Sequence, residues 1–333
     1  MFYQAFRPFL FALDAEKAHC LSLAVLDRTS RFVPAPDLSS SPTEVMGITF
    51  PNKIGLAAGL DKNGEHIDAL GKFGFGFIEV GTVTPRPQTG NPKPRLFRLV
   101  RQQAIINRMG FNNKGVDNLV AHVQRVNYSG VLGINIGKNK DTPNNRAADD
   151  YLYCLKRVYQ YADYIVVNIS SPNTVGLRDL QNDDSMVALI DALKMEQDKL
   201  TKRFGYKPIA VKIAPDLTDE AVIGLAGIFK SYGVDGIIAT NTTINKTSVK
   251  SHLNGGEEGG LSGKPLTRQS THIIRLLADE LSGKVPIIGV GGIMTTADAR
   301  EKLAAGASLI QVYTGLIYKG PQLVRDILAA TGS

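Results

Sequence analysis

The stretch "YIVVNISSPNT" (164–174) joins a run of apolar residues to a strongly polar loop. Its first four residues have the composition of a strand that is buried on both faces. The seven residues that follow include two asparagines, two serines, a threonine and a proline. These residue types form turns, but they also offer many hydrogen-bond donors and acceptors. The rest of the chain decides between an ordinary turn and a binding loop at the end of a rigid strand.

Seven further apolar runs alternate with longer amphipathic segments. All eight are Gly55–Gly59, Phe75–Val83, Val131–Gly137, Tyr164–Ile169, Pro208–Ala214, Gly236–Thr240, Pro286–Gly291 and Leu309–Tyr313. Near-continuous apolar strands that alternate with helices predict a parallel sheet covered on both faces. Eight such units predict a (β/α)8 TIM barrel with a small N-terminal helical extension. A doubly wound open sheet is the alternative, but "GLAAGLDKNG" (55–64) is not its GxGxxG turn.

The N-terminal 36 residues differ from the rest, and the pattern changes after the Pro/Ser-rich stretch "VPAPDLSSSPTE" (33–44). Apolar residues recur there at helical spacing, from Phe2 to Leu13, and Asp14 is suited to cap a second helix. Charged residues and a proline interrupt the segment, so it reads neither as a signal peptide nor as a spanning helix. The sequence therefore predicts a helical hairpin over 1–36 and a barrel over 37–333.

Composition excludes several classes of function. The chain has two cysteines without CxxC spacing and five scattered histidines without HExxH, which predicts no metal site and a reducing compartment. The net charge of +7 suits nucleic acid, an anionic membrane surface or phosphorylated ligands. Because no run of basic residues interleaves with aromatic ones, nucleic-acid binding is not predicted.

A polar group or a glycine pair stands at or beside the end of every predicted strand. In chain order these are Lys62, Thr82, Asn135, Asn168, Lys212, Thr240 to Thr242, Gly291 and Gly292, and Tyr313 and Thr314. Barrel enzymes place their sites at these ends, so "NISSPNT" (168–174) belongs to a site. The glycines of "GVGGI" (289–293), with "QVYTG" (311–315), predict a phosphate seat. Gly259, Gly260 and Gly263 predict a flexible loop over the same phosphate.

Three groups of residues could carry chemistry. Lys212, among apolar neighbours, could form a Schiff base with a carbonyl substrate or hold positive charge beside a cofactor. Four asparagine amides together suit an imide- or uracil-like ring; they are Asn107, Asn168, Asn173 and Asn241. Ser171 lacks an evident triad and a GxSxG elbow, but it could act as a positioned proton acceptor.

Longer strings of the sequence identify a family. "LAAGLDKNGE", "EVGTVTPRPQTGNPKPRLFRL", "INRMGFNN", "GINIGKNKDTP", "NISSPNT", "VKIAPDL", "ATNTT", "GGLSGKPL" and "GVGGI" resemble the membrane-associated, quinone-dependent (class 2) dihydroorotate dehydrogenases. Ser171 takes the position of that family's catalytic base, where the soluble class 1 enzymes have cysteine. Thr314 stands where serine is expected, and a backbone N–H to phosphate survives that change.

The resemblance implies a ligand set. Expected FMN contacts are Ala58, Gly59, Leu60, Asp61, Lys62, Thr82, Asn135, Asn168, Lys212, Thr240, Gly263, Gly292, Tyr313 and Thr314. Expected contacts of dihydroorotate or orotate are Lys62, Asn107, Arg108, Met109, Gly110, Phe111, Asn168, Asn173, Asn241 and Thr242. Ser171 is then expected to take a proton from C5 of dihydroorotate while hydride leaves C6 for the flavin.

The resemblance also implies a partner and a place in the cell. A membrane quinone is expected to enter between the hairpin helices, with His19 and Arg98 at the polar end of its passage. The hairpin is expected to rest on an anionic membrane surface, so the protein is expected to be peripheral, on the cytoplasmic side of the inner membrane. A monomer is expected. The rival interpretations are a Schiff-base aldolase that uses Lys212 and a basic RNA-binding or scaffolding protein.

Overall fold

The computed structural model describes residues 2–34, 36–38, 41–174, 176–181 and 183–331. A few positions of the predicted 1–36 and 37–333 regions therefore lie outside the described residues. The strands are β1 (Thr43–Val45), β2 (Ile48–Phe50), β3 (Ile54–Leu56), β4 (Phe77–Val83), β5 (Leu96–Leu99), β6 (Ala104–Asn107), β7 (Val131–Ile136), β8 (Tyr164–Asn168), β9 (Ile209–Ile213), β10 (Gly236–Ala239), β11 (Gly260–Gly263), β12 (Ile287–Val290) and β13 (Leu309–Val312). The α-helices are α1 (Phe2–Ala12), α2 (Ala15–Ser30), α3 (Ile67–Gly71), α4 (Val116–Val123), α5 (Ala147–Val158), α6 (Asp183–Phe204), α7 (Asp219–Ser231), α8 (Thr267–Leu281), α9 (Thr296–Ala304), α10 (Thr314–Lys319) and α11 (Gln322–Thr331).

Within the described residues, eight parallel strands close a barrel in the order β3-β4-β7-β8-β9-β10-β12-β13. Seven of the eight predicted apolar runs contain one of these strands, and the first, Gly55–Gly59, overlaps the last two residues of β3. The (β/α)8 prediction is therefore confirmed and the open sheet is excluded. All seven residues of β4 are buried, as are all five of β8 and of β9. Burial on both faces explains why these strands read as uninterrupted apolar runs rather than as alternating patterns.

A short β-hairpin closes the N-terminal end of the barrel. Strands β1 and β2 pair antiparallel through Val45 and Ile48. Phe50 is fully buried and its ring lies 5.3 Å from Phe77 and 6.3 Å from Tyr164, centroid to centroid. Because aromatic side chains fill this end, ligands can enter the barrel at the opposite, C-terminal end.

A second, antiparallel sheet lies outside the barrel in the order β11-β6-β5. Its strand β11 contains Gly260 and Gly263, which the sequence had placed in a flexible loop. That prediction was wrong, because β11 pairs along its whole length with β6. Glycine is unfavourable in strands, but a side chain at Gly260 would lie 1.9 Å from the hydroxyl of Thr242. Close packing therefore requires glycine at this position.

Helices α1 and α2 lie in the region for which the sequence predicted a helical hairpin. The Asp14 side chain caps α2 by accepting hydrogen bonds from the backbone of Glu16 and Lys17, as the sequence predicted. Helix α1 is attached to α10, since Arg7 donates to the Tyr318 carbonyl at 2.9 Å. Of the helices that the structure describes, none is long and apolar enough to cross a membrane.

Candidate active site

A cavity of about 150 Å³ lies at the C-terminal ends of the barrel strands. Most of the predicted ligand contacts line it. They are Ala58, Gly59, Lys62, Thr82, Asn107, Met109, Gly110, Phe111, Asn168, Asn173, Lys212, Thr240, Asn241, Thr242, Gly263, Gly292, Tyr313 and Thr314. Ser171 lines the same cavity. Residues from distant parts of the chain are thus brought to the barrel end where enzymes of this architecture bind their ligands.

The loop after β8 is held by hydrogen bonds among its own amides and those of its neighbours. Asn241 donates to the hydroxyl of Ser170 at 3.0 Å, and Asn173 donates to the side-chain oxygen of Asn107 at 3.2 Å. Asn168 donates to the Thr82 hydroxyl at 2.9 Å. The four asparagines singled out from the sequence therefore converge on one cavity.

Ser171 is 5 % exposed and its hydroxyl accepts a hydrogen bond from the backbone of Asn173 at 3.2 Å. The hydrogen bonds of the described residues include no imidazole or carboxylate partner for this hydroxyl. A triad of the hydrolase kind is therefore not formed here. If Ser171 accepted a proton, that proton would have to pass onward to solvent or to a water, because no histidine is hydrogen-bonded to this hydroxyl in the described part of the chain.

Arg178 supports this loop from outside the cavity, and its role was not predicted from the sequence. Its guanidinium donates to the Ser170 carbonyl at 3.1 Å and to the Thr242 carbonyl at 2.9 Å. A third hydrogen bond of 2.8 Å reaches the carboxylate of Asp216. Ser170 and Thr242, which adjoin Ser171 and Asn241, are therefore held by the same rigid guanidinium.

Lys212 has a carboxylate partner that the sequence analysis did not identify. Glu79 is fully buried in the middle of β4, and its carboxylate lies 3.8 Å from the Lys212 ammonium. Asn135 donates to one oxygen of Glu79 at 2.7 Å, and Gln311 donates to the other at 2.6 Å. Both charges are thus compensated, as burial requires. The signal was present as an acidic residue inside the apolar stretch "FIEVGTV" (77–83).

Four predicted contacts do not reach the cavity with their side chains. Asn135 lies beneath it and accepts a 2.6 Å hydrogen bond from Thr82. Asp61 turns into its own loop and accepts from the backbone of His66 at 2.7 Å. The Arg108 side chain points away and forms an ion pair of 2.6 Å with Glu257.

The fourth of these residues, Leu60, lines a second cavity. This cavity has a volume of about 500 Å³ and lies between the hairpin and the barrel. Aromatic and aliphatic side chains make most of its wall, among them Phe6, Phe9, Leu10, Phe11, Leu23, Leu26, Phe73 and Ile317. His19 and Arg98 supply polar groups to it. Burial, with the Lys62 and His66 charges, lowers the pKa of His19 to about 3, so its imidazole is neutral at ordinary pH.

Tyr313 lines both cavities and forms a wall between them. Its hydroxyl donates to the Gly59 carbonyl at 3.4 Å. Burial raises the pKa of Tyr313 to about 12, so the hydroxyl stays protonated. The Tyr313 side chain therefore separates the cavity at the barrel mouth from the larger apolar cavity.

The fold and this site together define a (β/α)8-barrel enzyme that binds its ligands at the C-terminal ends of the strands. A family model described as dihydroorotate dehydrogenase matches residues 40–331. The chain therefore belongs to the dihydroorotate dehydrogenase family.

Relatives and solved structures agree with this assignment. A "Dihydroorotate dehydrogenase (quinone)" of Thiobacillus denitrificans is 58% identical over 330 residues and covers 98% of both chains. One of Neisseria meningitidis serogroup A is 56% identical over 331 residues, covering 98% of this chain and 99% of the other. A crystal structure of the Eimeria tenella enzyme in complex with ferulenol superposes with a TM-score of 0.87 at 42% identity, over 95% of this chain and 90% of that one.

The chain is thus a quinone-dependent dihydroorotate dehydrogenase of class 2, which oxidises dihydroorotate in pyrimidine biosynthesis. The family implies a flavin cofactor, and quinone-dependent members are membrane-associated enzymes. The comparisons do not favour the Schiff-base aldolase, and they also give no support to the RNA-binding or scaffolding interpretation.

The residues of the first cavity fit a flavin. Gly263 and Gly292 have positive φ angles of 95° and 75°. A Cβ at Gly292 would lie 2.3 Å from the Thr267 hydroxyl, so the backbone itself forms the wall that a phosphate would touch.

Proposed function

We propose that the flavin is FMN and that the two cavities serve the two halves of the reaction. Dihydroorotate is oxidised in the polar cavity at the barrel mouth, and the quinone is reduced in the apolar cavity beneath the hairpin. The observation that carries this proposal is the position of Tyr313, which lines both cavities. Electrons then need to pass only one side chain to travel from one ligand to the other.

FMN would be held by the residues around the first cavity and, when bound, supplies the acceptor for a hydride. Lys212 would bring a positive charge to the ring, and the Glu79 carboxylate, 3.8 Å from the Lys212 ammonium, compensates that charge. Gly263, Gly292 and Thr314 line the cavity, and their backbone groups would bind the phosphate. Ala58, Gly59, Thr82, Asn168 and Thr240 complete the proposed seat; Leu60, Asp61 and Asn135 support it from outside the cavity.

Dihydroorotate would lie against the asparagine amides, with its carboxylate near Lys62. Ser171 removes the proton from C5 as the hydride leaves C6, which converts the C5–C6 single bond into the double bond of orotate. Asn107, Asn173 and Asn241 offer donors and acceptors that match the alternating N–H and C=O groups of the ring. Met109, Gly110, Phe111 and Thr242 shape the remaining wall; the contribution of Arg108 is limited to its backbone, because its side chain points to Glu257.

The quinone would enter between α1 and α2, with its head group near His19 and Arg98. A neutral imidazole and a guanidinium are suitable hydrogen-bond partners for a quinone oxygen, and the apolar wall suits its tail. Phe6 and Phe9 are 62% and 74% exposed on α1, which is a large apolar surface for a membrane to cover. The net charge of +7 favours an anionic surface, such as the cytoplasmic face of the inner membrane. Because one chain lines both cavities, a monomer suffices.

Filling the second cavity tests the proposal. Ser22 lines this cavity, whereas Ala12 is an exposed hairpin residue outside it. We expect Ser22→Phe to raise the KM for a long-tailed quinone on the order of tenfold, which corresponds to about 1.4 kcal/mol of lost binding. Bleaching of the flavin absorbance by dihydroorotate without oxygen should be unchanged, and Ala12→Phe should resemble the wild type. Equal quinone kinetics in both variants would show that the quinone binds elsewhere.

A further inference from the structure

A buried ion pair connects the quinone-side hairpin to the dihydroorotate side of the barrel. Glu16 lies in the first turn of α2 and is 8% exposed, and Arg95 is 6% exposed. The Arg95 guanidinium donates two parallel hydrogen bonds to the Glu16 carboxylate, of 3.0 and 2.7 Å. Lys93 approaches the same carboxylate at 3.3 Å from the surface. Bidentate, buried pairs of this kind fix geometry more strongly than surface pairs do.

The remaining nitrogen of Arg95 holds a turn that supports the substrate wall. It donates to the carbonyls of Thr89 and Asn91 at 2.6 and 2.9 Å. Asn91 in turn donates through its side chain to the Arg108 carbonyl at 3.0 Å and through its backbone to the Met109 carbonyl at 3.1 Å. The 107–111 segment of the polar cavity is therefore attached, through two residues, to helix α2.

Glu16 also acts electrostatically on Lys62, which lines the polar cavity. Burial lowers the pKa of Lys62 to about 8, and the Glu16 carboxylate is the strongest of the charges that oppose this shift. The titratable and charged groups that face Lys62 are Glu16, Arg95, Asp61, Cys20 and His19. Among them Glu16 belongs to the hairpin and carries negative charge at neutral pH.

We propose that Glu16 is a positioning residue for the dihydroorotate site: through Arg95 it fixes the 107–111 segment, and its charge supports the Lys62 ammonium that receives the substrate carboxylate. This inference rests on the proposed substrate contacts. It makes α2 part of both half-reactions, because His19 lies one turn further along the same helix and lines the quinone cavity.

Orotate binding to the full-length, flavin-loaded protein tests the inference. We measure the Kd by titration calorimetry between pH 6 and 9.5 in wild type, Glu16→Gln and Glu16→Asp. A lysine with a lowered pKa is charged below that pKa, so orotate affinity should fall as pH rises through it. In Glu16→Gln the fall should begin about one pH unit lower, since a nearby opposite charge shifts a pKa by roughly one to three units.

At pH 7 we expect Glu16→Gln to weaken orotate on the order of tenfold and to leave the quinone KM unchanged, because Glu16 does not line the second cavity. Glu16→Asp keeps the charge but shortens the reach, so it should weaken binding while its pH dependence stays near that of the wild type. Glu220→Gln is the matched control, since Glu220 is an exposed carboxylate in the first turn of α7.

The outcomes separate the two proposals. If Lys62→Met leaves orotate affinity unchanged, the proposed substrate contacts are wrong. If Lys62→Met weakens orotate but Glu16→Gln matches Glu220→Gln in affinity and pH profile, the substrate contacts stand and the role of Glu16 is overturned. If Glu16→Gln does not fold, Glu16→Asp decides the question: wild-type orotate binding refutes the inference, and weakened binding with an unaltered quinone KM supports it.

Discussion

The cavity at the barrel mouth and the cavity under the hairpin share Tyr313 but are built differently. The first has a volume of about 150 Å³, and hydrogen-bonded amides, Lys62 and Lys212 are among the residues that line it. The second has about 500 Å³ and a mainly apolar wall, to which His19 and Arg98 contribute polar groups. A polar wall positions reacting atoms through directional bonds, whereas an apolar wall binds mainly by excluding water.

This difference indicates how each cavity should respond to substitution. Removing a directional group from the first cavity should change the rate of the chemical step, because that group acts in the transition state. Changes in the second cavity should alter quinone affinity and leave dihydroorotate oxidation intact. Substitutions can therefore be assigned to one cavity by measuring the two half-reactions separately.

The largest effect is expected at Ser171. A positioned general base contributes roughly 10²- to 10⁴-fold to a rate, so Ser171→Ala should slow dihydroorotate-driven bleaching of the flavin by that factor. Orotate should still bind, and reoxidation by quinone should keep its rate. Stopped-flow absorbance measures each half-reaction. A normal bleaching rate in the alanine variant would place the base elsewhere.

Ser171→Cys refines this first test. The variant should retain some activity and shift its pH optimum downward, since a free thiol ionises near pH ~8.5, well below a serine hydroxyl. Thr174→Ala is a suitable control in the same loop, because Thr174 is buried near Ser171 but does not line the cavity. A pH profile that is the same for serine and cysteine would contradict proton transfer to this side chain.

A smaller effect is expected from Lys212→Met. Breaking a buried pair leaves the Glu79 carboxylate without its partner, which costs about 3–5 kcal/mol, and it removes the positive charge that we propose Lys212 supplies to the flavin. We expect lower flavin content or a more negative reduction potential, measured by absorbance and by redox titration. The double variant Lys212→Met/Glu79→Gln should recover stability without recovering the potential. Unchanged flavin content, potential and turnover would refute the assignment.

The sequence predicted the barrel well because its signal is local. Each strand is buried on both faces, so each appears as an apolar run, and a polar group at its end marks the site. Capping by Asp14 is also local. The prediction of most cavity-lining residues depended on motif strings, which record positions that geometry alone does not reveal.

The sequence did not predict pairings between distant residues. Glu79 and Lys212 meet because β4 and β9 both contribute side chains to one barrel interior, and the register that aligns them is set by the whole sheet. Strand β11 pairs with β6, which lies far away in the sequence. The direction of Arg108 depends on Glu257, 149 positions away. Glu79 is recognisable as an acidic residue in an apolar run, but nothing near it in the sequence indicates Lys212 as its partner.

The smallest effect on dihydroorotate oxidation is expected from deletion of the hairpin, which the sequence predicted to be a separate region. If the hairpin and the barrel were independent domains, deletion of residues 1–36 would leave dihydroorotate oxidation near normal. It would abolish membrane binding and the turnover of long-tailed quinones. The Glu16–Arg95 pair changes the first expectation, because the deletion leaves a buried guanidinium without its carboxylate. We expect bleaching by dihydroorotate to slow on the order of tenfold at subsaturating substrate.

Combining the deletion with Arg95→Met should restore stability, because the unpaired buried charge is gone. It should not restore dihydroorotate affinity, because the turn at Thr89 and Asn91 is no longer held. Vesicle sedimentation and stopped-flow absorbance on both truncated proteins measure these outcomes. A truncated protein that binds dihydroorotate normally would show that the polar cavity does not depend on α2, and the two regions would be energetically separate after all.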